Sequence, residues 1–265
     1  MKNFPQFFLI ILSLWLFSCE QSMFEEEMAR TDPRANFEYL WNQCNEKYSY
    51  FKIKNIDWDQ VKIEYSAKIY KGMSQDSLFQ VLGSMLRELK DDHTNLKSHF
   101  NLSFFGVKYL GPDNFDWRII TDNYLGQNYY TSGPFQHNFP ANGQIGYVRF
   151  SSFTGTVDNK NLDFVLERYK NTKGLILDLR ENGGGAISDI RDLTGRFIEE
   201  KTLVYYSWVK SGPGPEDFSE ALPVYATPYQ GIRYKNKVAV LTDRGTYSAG
   251  SLTALVTKAL PKVML

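Results

Sequence analysis

The feature that most limits the fold of this chain is a unit that occurs twice in its second half. In each unit, a short apolar run leads through a loop into apolar residues spaced three and four positions apart. The apolar runs are residues 174–179 and 237–242. Strands that alternate with helices are typical of layered α/β proteins. The sequence therefore predicts an α/β fold in which both runs are buried strands.

The N-terminal half carries helical periodicity instead. Apolar residues recur at helical spacing over 37–51, 58–65 and 78–89, and Ser74 is a favourable N-cap for the third segment. We expect a small N-terminal helical subdomain over residues 36–92.

The α/β core is expected over residues 93–265. Further predicted strands are 104–109, 115–121, 144–150 and 203–209, with helices over 162–169 and after residues 185 and 247. Residues 261–265 resemble the start of one more strand, and we therefore expect the core to be incomplete at its C-terminus.

The N-terminus resembles that of a bacterial lipoprotein. Lys2 precedes an apolar stretch over 7–17, which is shorter than the ~20 residues needed to span a bilayer, and Leu-Phe-Ser-Cys ends it at Cys19. We expect residues 1–18 to be a lipoprotein signal peptide, Cys19 to carry lipid and 19–35 to form a tether. The alternative is an ordinary signal peptide followed by an incidental cysteine.

These features predict a membrane-anchored protein of the bacterial cell envelope, facing the periplasm or the cell exterior. Lipidation of Cys19 leaves only Cys44, so no intramolecular disulfide is expected. Thirty basic and thirty acidic side chains give a formal net charge of zero. A nucleic-acid partner is therefore not expected, because such proteins usually concentrate positive charge on one face.

Ser248 stands where the second apolar run has passed through a tight turn and a helix begins. That position presents a side chain at the carboxyl edge of an α/β sheet, beside the positive end of a helix dipole. Ser248 is therefore a candidate nucleophile. Serine is also a preferred N-cap residue, and a purely structural N-cap is the alternative.

A glycine-rich loop follows the first apolar run at Gly183, Gly184 and Gly185. Three glycines allow the backbone to approach a ligand closely. A dinucleotide-binding loop is disfavoured because Ser188 stands where its third glycine would be needed. A structural turn remains an alternative.

His93 lies in Asp-Asp-His-Thr-Asn, just after the third predicted helix. Its ordinary pKa near neutrality suits a general base, whereas an isolated loop histidine is often only a solvated residue. No second His or Cys cluster at ligand spacing indicates a metal site. An α/β-hydrolase is disfavoured because no histidine follows Ser248.

The three motifs, in this order, resemble the tail-specific (C-terminal-processing) serine proteases, and most closely their tricorn-like branch. The resemblance implies a crotonase-like (ClpP/crotonase) protease core without metal or organic cofactor. It implies a serine-type endopeptidase acting on polypeptides of the cell envelope, with Ser248 as nucleophile and His93 as general base. The amide of Ala249, with that of Gly183 or Gly184, would form the oxyanion hole.

Two departures from this family are apparent. Residues 98–143 are too few for the PDZ domain that many relatives carry. The family's further catalytic residue follows the nucleophile's helix, and here it would lie beyond Leu265. The alternative function is therefore a catalytically incomplete, peptide-binding homologue.

Overall fold

The computed structural model describes residues 32–155 and 157–265. The predicted signal peptide, Cys19 and most of the predicted tether lie outside the described residues. Within those residues, no helix is both long and apolar enough to cross a membrane.

Four helices form the N-terminal part of the described chain. They are α1 (Pro33–Lys47), α2 (Phe51–Lys54), α3 (Trp58–Ser66) and α4 (Gln75–Arg87). The Ser74 side chain accepts a hydrogen bond from the amide of Ser77, which confirms the predicted N-cap. These helices surround a hydrophobic cluster of their own, in which Met85 and Leu89 are fully buried.

A six-stranded mixed sheet forms the centre of the remaining chain. Its strands are β3 (Tyr130–Ser132), β4 (Phe135–Asn138), β5 (Ile145–Phe150), β6 (Gly174–Asp178), β9 (Lys237–Leu241) and β10 (Val263–Met264). The strand order is β10-β9-β6-β5-β4-β3. Strands β10, β9, β6 and β5 run parallel to one another, whereas β4 and β3 pair antiparallel. The predicted mixed α/β fold with a central sheet is confirmed.

Two short ribbons lie outside this sheet. The strands β1 (Leu96–Lys97) and β2 (Leu102–Ser103) form one, and β7 (Thr202–Ser207) and β8 (Leu222–Ala226) form the other. Three helices accompany the sheet: α6 (Asn159–Tyr169), α7 (Ser188–Thr194) and α8 (Ala249–Lys258). Their apolar faces join the main hydrophobic core with the buried side chains of β5, β6 and β9.

The strand predictions for residues 104–109 and 115–121 are wrong. The first segment contains a 3-10 turn, Val107–Tyr109, and the second contains helix α5 (Trp117–Ile120), which continues into a π-helical turn, Thr121–Leu125. Asp116 caps α5 by accepting a hydrogen bond from the amide of Arg118. The carboxylate of Asp92 binds the amides at the start of the 3-10 turn, so they are not available to a strand partner.

The parallel register brings two chain segments to the same edge of the sheet. Asp178 at the end of β6 pairs with Leu241 at the end of β9. Because both strands end there, the glycine-rich loop and the turn before Ser248 emerge side by side. The sheet thus places two of the three predicted motifs next to each other.

Candidate active site

Ser248 adopts a backbone conformation that is unusual for a residue with a side chain. Its φ is 54° and its ψ is −123°, and its side chain makes no capping hydrogen bond to α8. The predicted N-cap alternative is therefore wrong in its hydrogen-bonding sense. Residues in such sparsely populated backbone regions cost about 1–3 kcal/mol and persist only where neighbouring contacts hold them.

The turn that holds Ser248 is anchored on both sides. The amide of Tyr247 donates to the carbonyl of Asn182 at 2.8 Å. The hydroxyl of Thr246 donates to the carbonyl of Leu179, also at 2.8 Å. Both acceptors belong to the segment after β6, so the glycine-rich loop itself stabilises the turn.

Gly184 packs directly against this turn. A Cβ atom at Gly184 would lie 2.6 Å from Cβ of Ser248 and 2.8 Å from the amide nitrogen of Ala249, and its φ is +91°. Gly185 has φ +138°, and a Cβ there would lie 2.3 Å from the carbonyl of Phe153. Only glycine fits these two positions, because the space that a side chain needs is filled by backbone.

Asn182 organises the loop from within. It is fully buried; its side-chain amide donates to the carbonyl of Phe150 at 2.8 Å, and its side-chain oxygen accepts from the amide of Gly184 at 2.9 Å. The Gly184 amide, one of the predicted oxyanion donors, is therefore already bonded within the protein. The amides of Gly183 and Ala249 have no hydrogen-bond acceptor among the described residues. Backbone amides of this kind are the usual donors to a developing oxyanion.

A buried ionic cluster lies at the end of β6, at the base of the loop. Asp178 is fully buried and accepts hydrogen bonds from Tyr147 and from Arg180, whose Nε lies 2.9 Å from Oδ1. Arg149 donates to the carbonyl of Arg180 at 2.9 Å. The bond to Asp178 raises the pKa of Arg180, so this guanidinium stays charged. The cluster fixes the backbone where the glycine-rich loop begins.

His93 lies beside the residue that precedes Ser248. Its ring stacks on that of Tyr247 with centroids 4.6 Å apart, and its Nδ1 is 2.7 Å from the Tyr247 hydroxyl and 3.2 Å from Oδ1 of Asp91. Within the described residues, no hydrogen bond joins His93 to Ser248. The structure thus brings the histidine motif to the serine motif, with contact made through Tyr247.

Asp91 is the most heavily bonded acceptor at this place. Its Oδ1 accepts from the amide of His93 at 3.0 Å and from the hydroxyl of Tyr247 at 2.7 Å. Its Oδ2 accepts from Tyr48 at 2.9 Å and Lys54 at 3.1 Å. Burial by itself would raise the pKa of Asp91, but these hydrogen bonds outweigh it and hold the pKa well below its usual range. Asp91 is therefore a carboxylate at every pH near neutrality.

The sequence analysis did not assign roles to Asp91, Tyr247 or Asn182, although all three stand within the motifs it identified. The spacing of Asp91 two residues before His93 was an available signal. The contacts of Tyr247 and Asn182 join segments far apart in the chain and had none. Among the described residues, no group of His, Cys, Asp or Glu side chains is arranged to hold a metal ion.

Comparison with known proteins gives matches over most of the chain. Residues 144–265 match peptidase family S41, and residues 29–87 match the tricorn protease C1 domain. A candidate peptidase from Parabacteroides merdae is 41% identical with a TM-score of 0.83, over 88% of this chain and 74% of that chain. Mature CPAF is 11% identical with a TM-score of 0.63, over 88% of this chain and 82% of that chain, a likeness of fold alone. No match was found among curated proteins.

Proposed function

Since the chain belongs to peptidase family S41, we propose that it hydrolyses peptide bonds, with Ser248 as nucleophile and His93 as general base. Membership of this family of serine-type proteases confirms the resemblance inferred from the three motifs. The proposal also includes the crotonase-like class of the core and the site residues predicted from the sequence. Nothing in the comparisons favours the alternative of a catalytically incomplete peptide-binding homologue.

The observation that carries the proposal is the surrounding of Ser248. Its side chain is half-buried, makes no cap bond and projects from a strained turn at the carboxyl edge of the sheet. Two unbonded amides, those of Gly183 and Ala249, belong to the segments that meet there. A structural serine would use its hydroxyl to offset the cost of such a backbone, whereas a nucleophile must keep it free.

The reaction that follows from this arrangement has two halves. In the first, Oγ of Ser248 attacks the carbonyl carbon, the proton of Oγ passes to Nε2 of His93, and the carbonyl electron pair moves to an oxyanion held by the two amides. The C–N bond then breaks and the amine leaves with the proton from His93. In the second half, water replaces the amine and releases the acid. Each oxyanion donor contributes about 3 kcal/mol of transition-state stabilisation in hydrolases.

His93 must reach Ser248 for this chemistry. Catalytic hydrogen bonds are often long in unliganded enzymes and tighten when substrate binds. A small rotation of the His93 ring on the Tyr247 ring is the motion we propose, because stacked rings slide with little change in buried area.

The proposal is tested with a fluorophosphonate probe, which forms a covalent bond only with an activated serine. We expect the chain to be labelled at Ser248, as located by peptide mass, and labelling to disappear in Ser248→Ala. Ser251→Ala is the matched control, because this exposed hydroxyl one turn further along α8 bonds only the Ser248 carbonyl. Labelling that survives in Ser248→Ala, or no labelling of a folded protein, would refute the proposal.

The predicted location also stays a proposal. We propose that Cys19 carries lipid and holds the protein on a membrane of the cell envelope, where polypeptides are its substrates. The support is the sequence alone, since Cys19 lies outside the described residues. Expressed in a bacterium, the protein should partition into detergent and lose this behaviour in Cys19→Ala, with Cys44→Ala as control. An unmodified Cys19 in the intact mass would contradict the anchor.

A further inference from the structure

The contacts of His93 indicate how this histidine is held, a matter that rests on the proposed function of His93 as general base. We infer that Asp91 and Tyr247 are its positioning residues. Together they hold a proton on Nδ1 of His93 and leave Nε2 free to accept the proton of Ser248.

The first step concerns the number of protons available to three atoms. Nδ1 of His93, the hydroxyl of Tyr247 and Oδ1 of Asp91 lie within 3.2 Å of one another. An ionised carboxylate only accepts hydrogen bonds, and a tyrosine has one proton to donate. If Nδ1 carried no proton, the Tyr247 proton could satisfy either Nδ1 or Oδ1, and the other would face a lone pair.

A proton on Nδ1 removes this conflict. Nδ1 then donates to the Tyr247 oxygen, and the Tyr247 hydroxyl donates to Oδ1 of Asp91, so every atom of the group has a partner. The charge of Asp91 stabilises the same arrangement, because Nδ1 and Oδ1 are only 3.2 Å apart. Neutral histidine carries one ring proton, so a proton on Nδ1 leaves Nε2 as the acceptor.

The second step concerns what holds Asp91. Its other oxygen is bound by Tyr48 and Lys54, which belong to the N-terminal helices or the segment between them, and only 7% of Asp91 is exposed. Lys54 also donates to the carbonyls of Leu89 and Lys90 at 3.0 Å each. The carboxylate is therefore fixed by the helical part of the chain before it contacts His93.

Tyr247 completes the connection to the core. Its hydroxyl lies against Asp91 and His93, while its backbone is bonded to Asn182 and adjoins Ser248. Burial and then the bond to Asp91 raise the pKa of Tyr247, so it keeps its proton throughout the working range. One side chain thus sets the distance between the base and the nucleophile.

The test measures the tautomer of His93 directly. In protein labelled with ¹⁵N at histidine, the two ring nitrogens have different chemical shifts in the two neutral tautomers, and His93→Gln identifies the His93 signals. We expect Nδ1 to be protonated in the natural protein and Nε2 to be protonated in Asp91→Asn, whose amide group can donate to Nδ1. For fluorophosphonate labelling, Asp91→Asn should be slower by on the order of 10³–10⁴-fold, as expected when a catalytic histidine takes the wrong tautomer.

A second variant covers the case in which Asp91→Asn does not fold. Tyr247→Phe keeps the stacked ring and removes only the hydroxyl, so we expect a mixture of tautomers and labelling slower by about tenfold. Tyr65→Phe is its matched control. It removes a phenol that bonds Glu88 at 2.7 Å within the helical part, and it contacts neither His93 nor Ser248. Its tautomer and labelling rate should equal those of the natural protein.

The possible failures are distinguishable. A natural protein with Nε2 protonated, or variants with an unchanged tautomer, overturns the positioning role even if Ser248 is labelled. A folded protein that has Nδ1 protonated but is never labelled refutes the proposed peptidase function and leaves the positioning of His93 standing.

Discussion

Gly184→Ala is expected to disturb both the fold and the site, and the contacts allow its size to be worked out. The new Cβ would lie 2.6 Å from Cβ of Ser248 and 2.8 Å from the Ala249 nitrogen. Neither neighbour is the end of a flexible side chain, so the backbone must move. Overpacking of this kind costs about 1–3 kcal/mol. Holding alanine at φ +91° costs a similar amount.

The two contributions together lower the melting temperature by on the order of 10 °C in a chain of this size. The labelling rate of Ser248 should fall by about 10² or more, because a displacement near 1 Å misaligns nucleophile and oxyanion donors. Circular dichroism melts and time courses of fluorophosphonate labelling measure the two effects.

Gly183→Ala is the matched control for stability. A Cβ at this neighbouring glycine has nothing within 4 Å, and its φ is not in the left-handed region. We expect its melting temperature to change by about 2 °C or less. If Gly184→Ala melts with Gly183→Ala and is labelled at the natural rate, the packing of Gly184 against Ser248 is refuted.

Three further changes test other parts of the structure. Burial, with the charge of Arg168, lowers the pKa of His137 from 6.5 to about 4. The unfolded chain therefore binds a proton first as the pH falls, and stability should drop by roughly 3 kcal/mol between these values; His137→Gln should flatten that slope in urea titrations. Asn182→Ala leaves two buried backbone groups unpaired, at about 1–3 kcal/mol each, and should slow labelling of Ser248. Met85→Ala should cost about 2–5 kcal/mol, and Met85→Leu less than about 1.5 kcal/mol, by thermal melts.

Opposite results would count against the contacts concerned. An unchanged pH slope in His137→Gln would mean that the buried imidazole is not what titrates. Natural labelling in Asn182→Ala would show that the glycine-rich loop holds its shape without that side chain. Equal melting of the two Met85 variants would contradict the tight packing of the helical cluster.

The sequence alone determined the parts of this protein that depend on short-range chemistry. The N-cap at Ser74 was readable because a cap and its helix are neighbours in the chain. The buried strands β6 and β9 were readable because strands covered on both faces are continuously apolar. The order of three short motifs was enough for the family, since each motif pairs a reactive or flexible residue with its own flanking pattern.

Tertiary structure decided everything that depends on residues distant in the chain. Asp91 and Tyr247 are separated by 156 positions, and only the docking of the helical part against the core brings them together. The two neighbouring glycines, Gly183 and Gly184, look equivalent in sequence, yet only Gly184 meets the Ser248 turn. The segment after Asp116 has strand-like composition and forms helical turns, because local capping there outweighed β propensity. Local propensity is weak compared with packing and hydrogen bonding, and these are set by the whole fold.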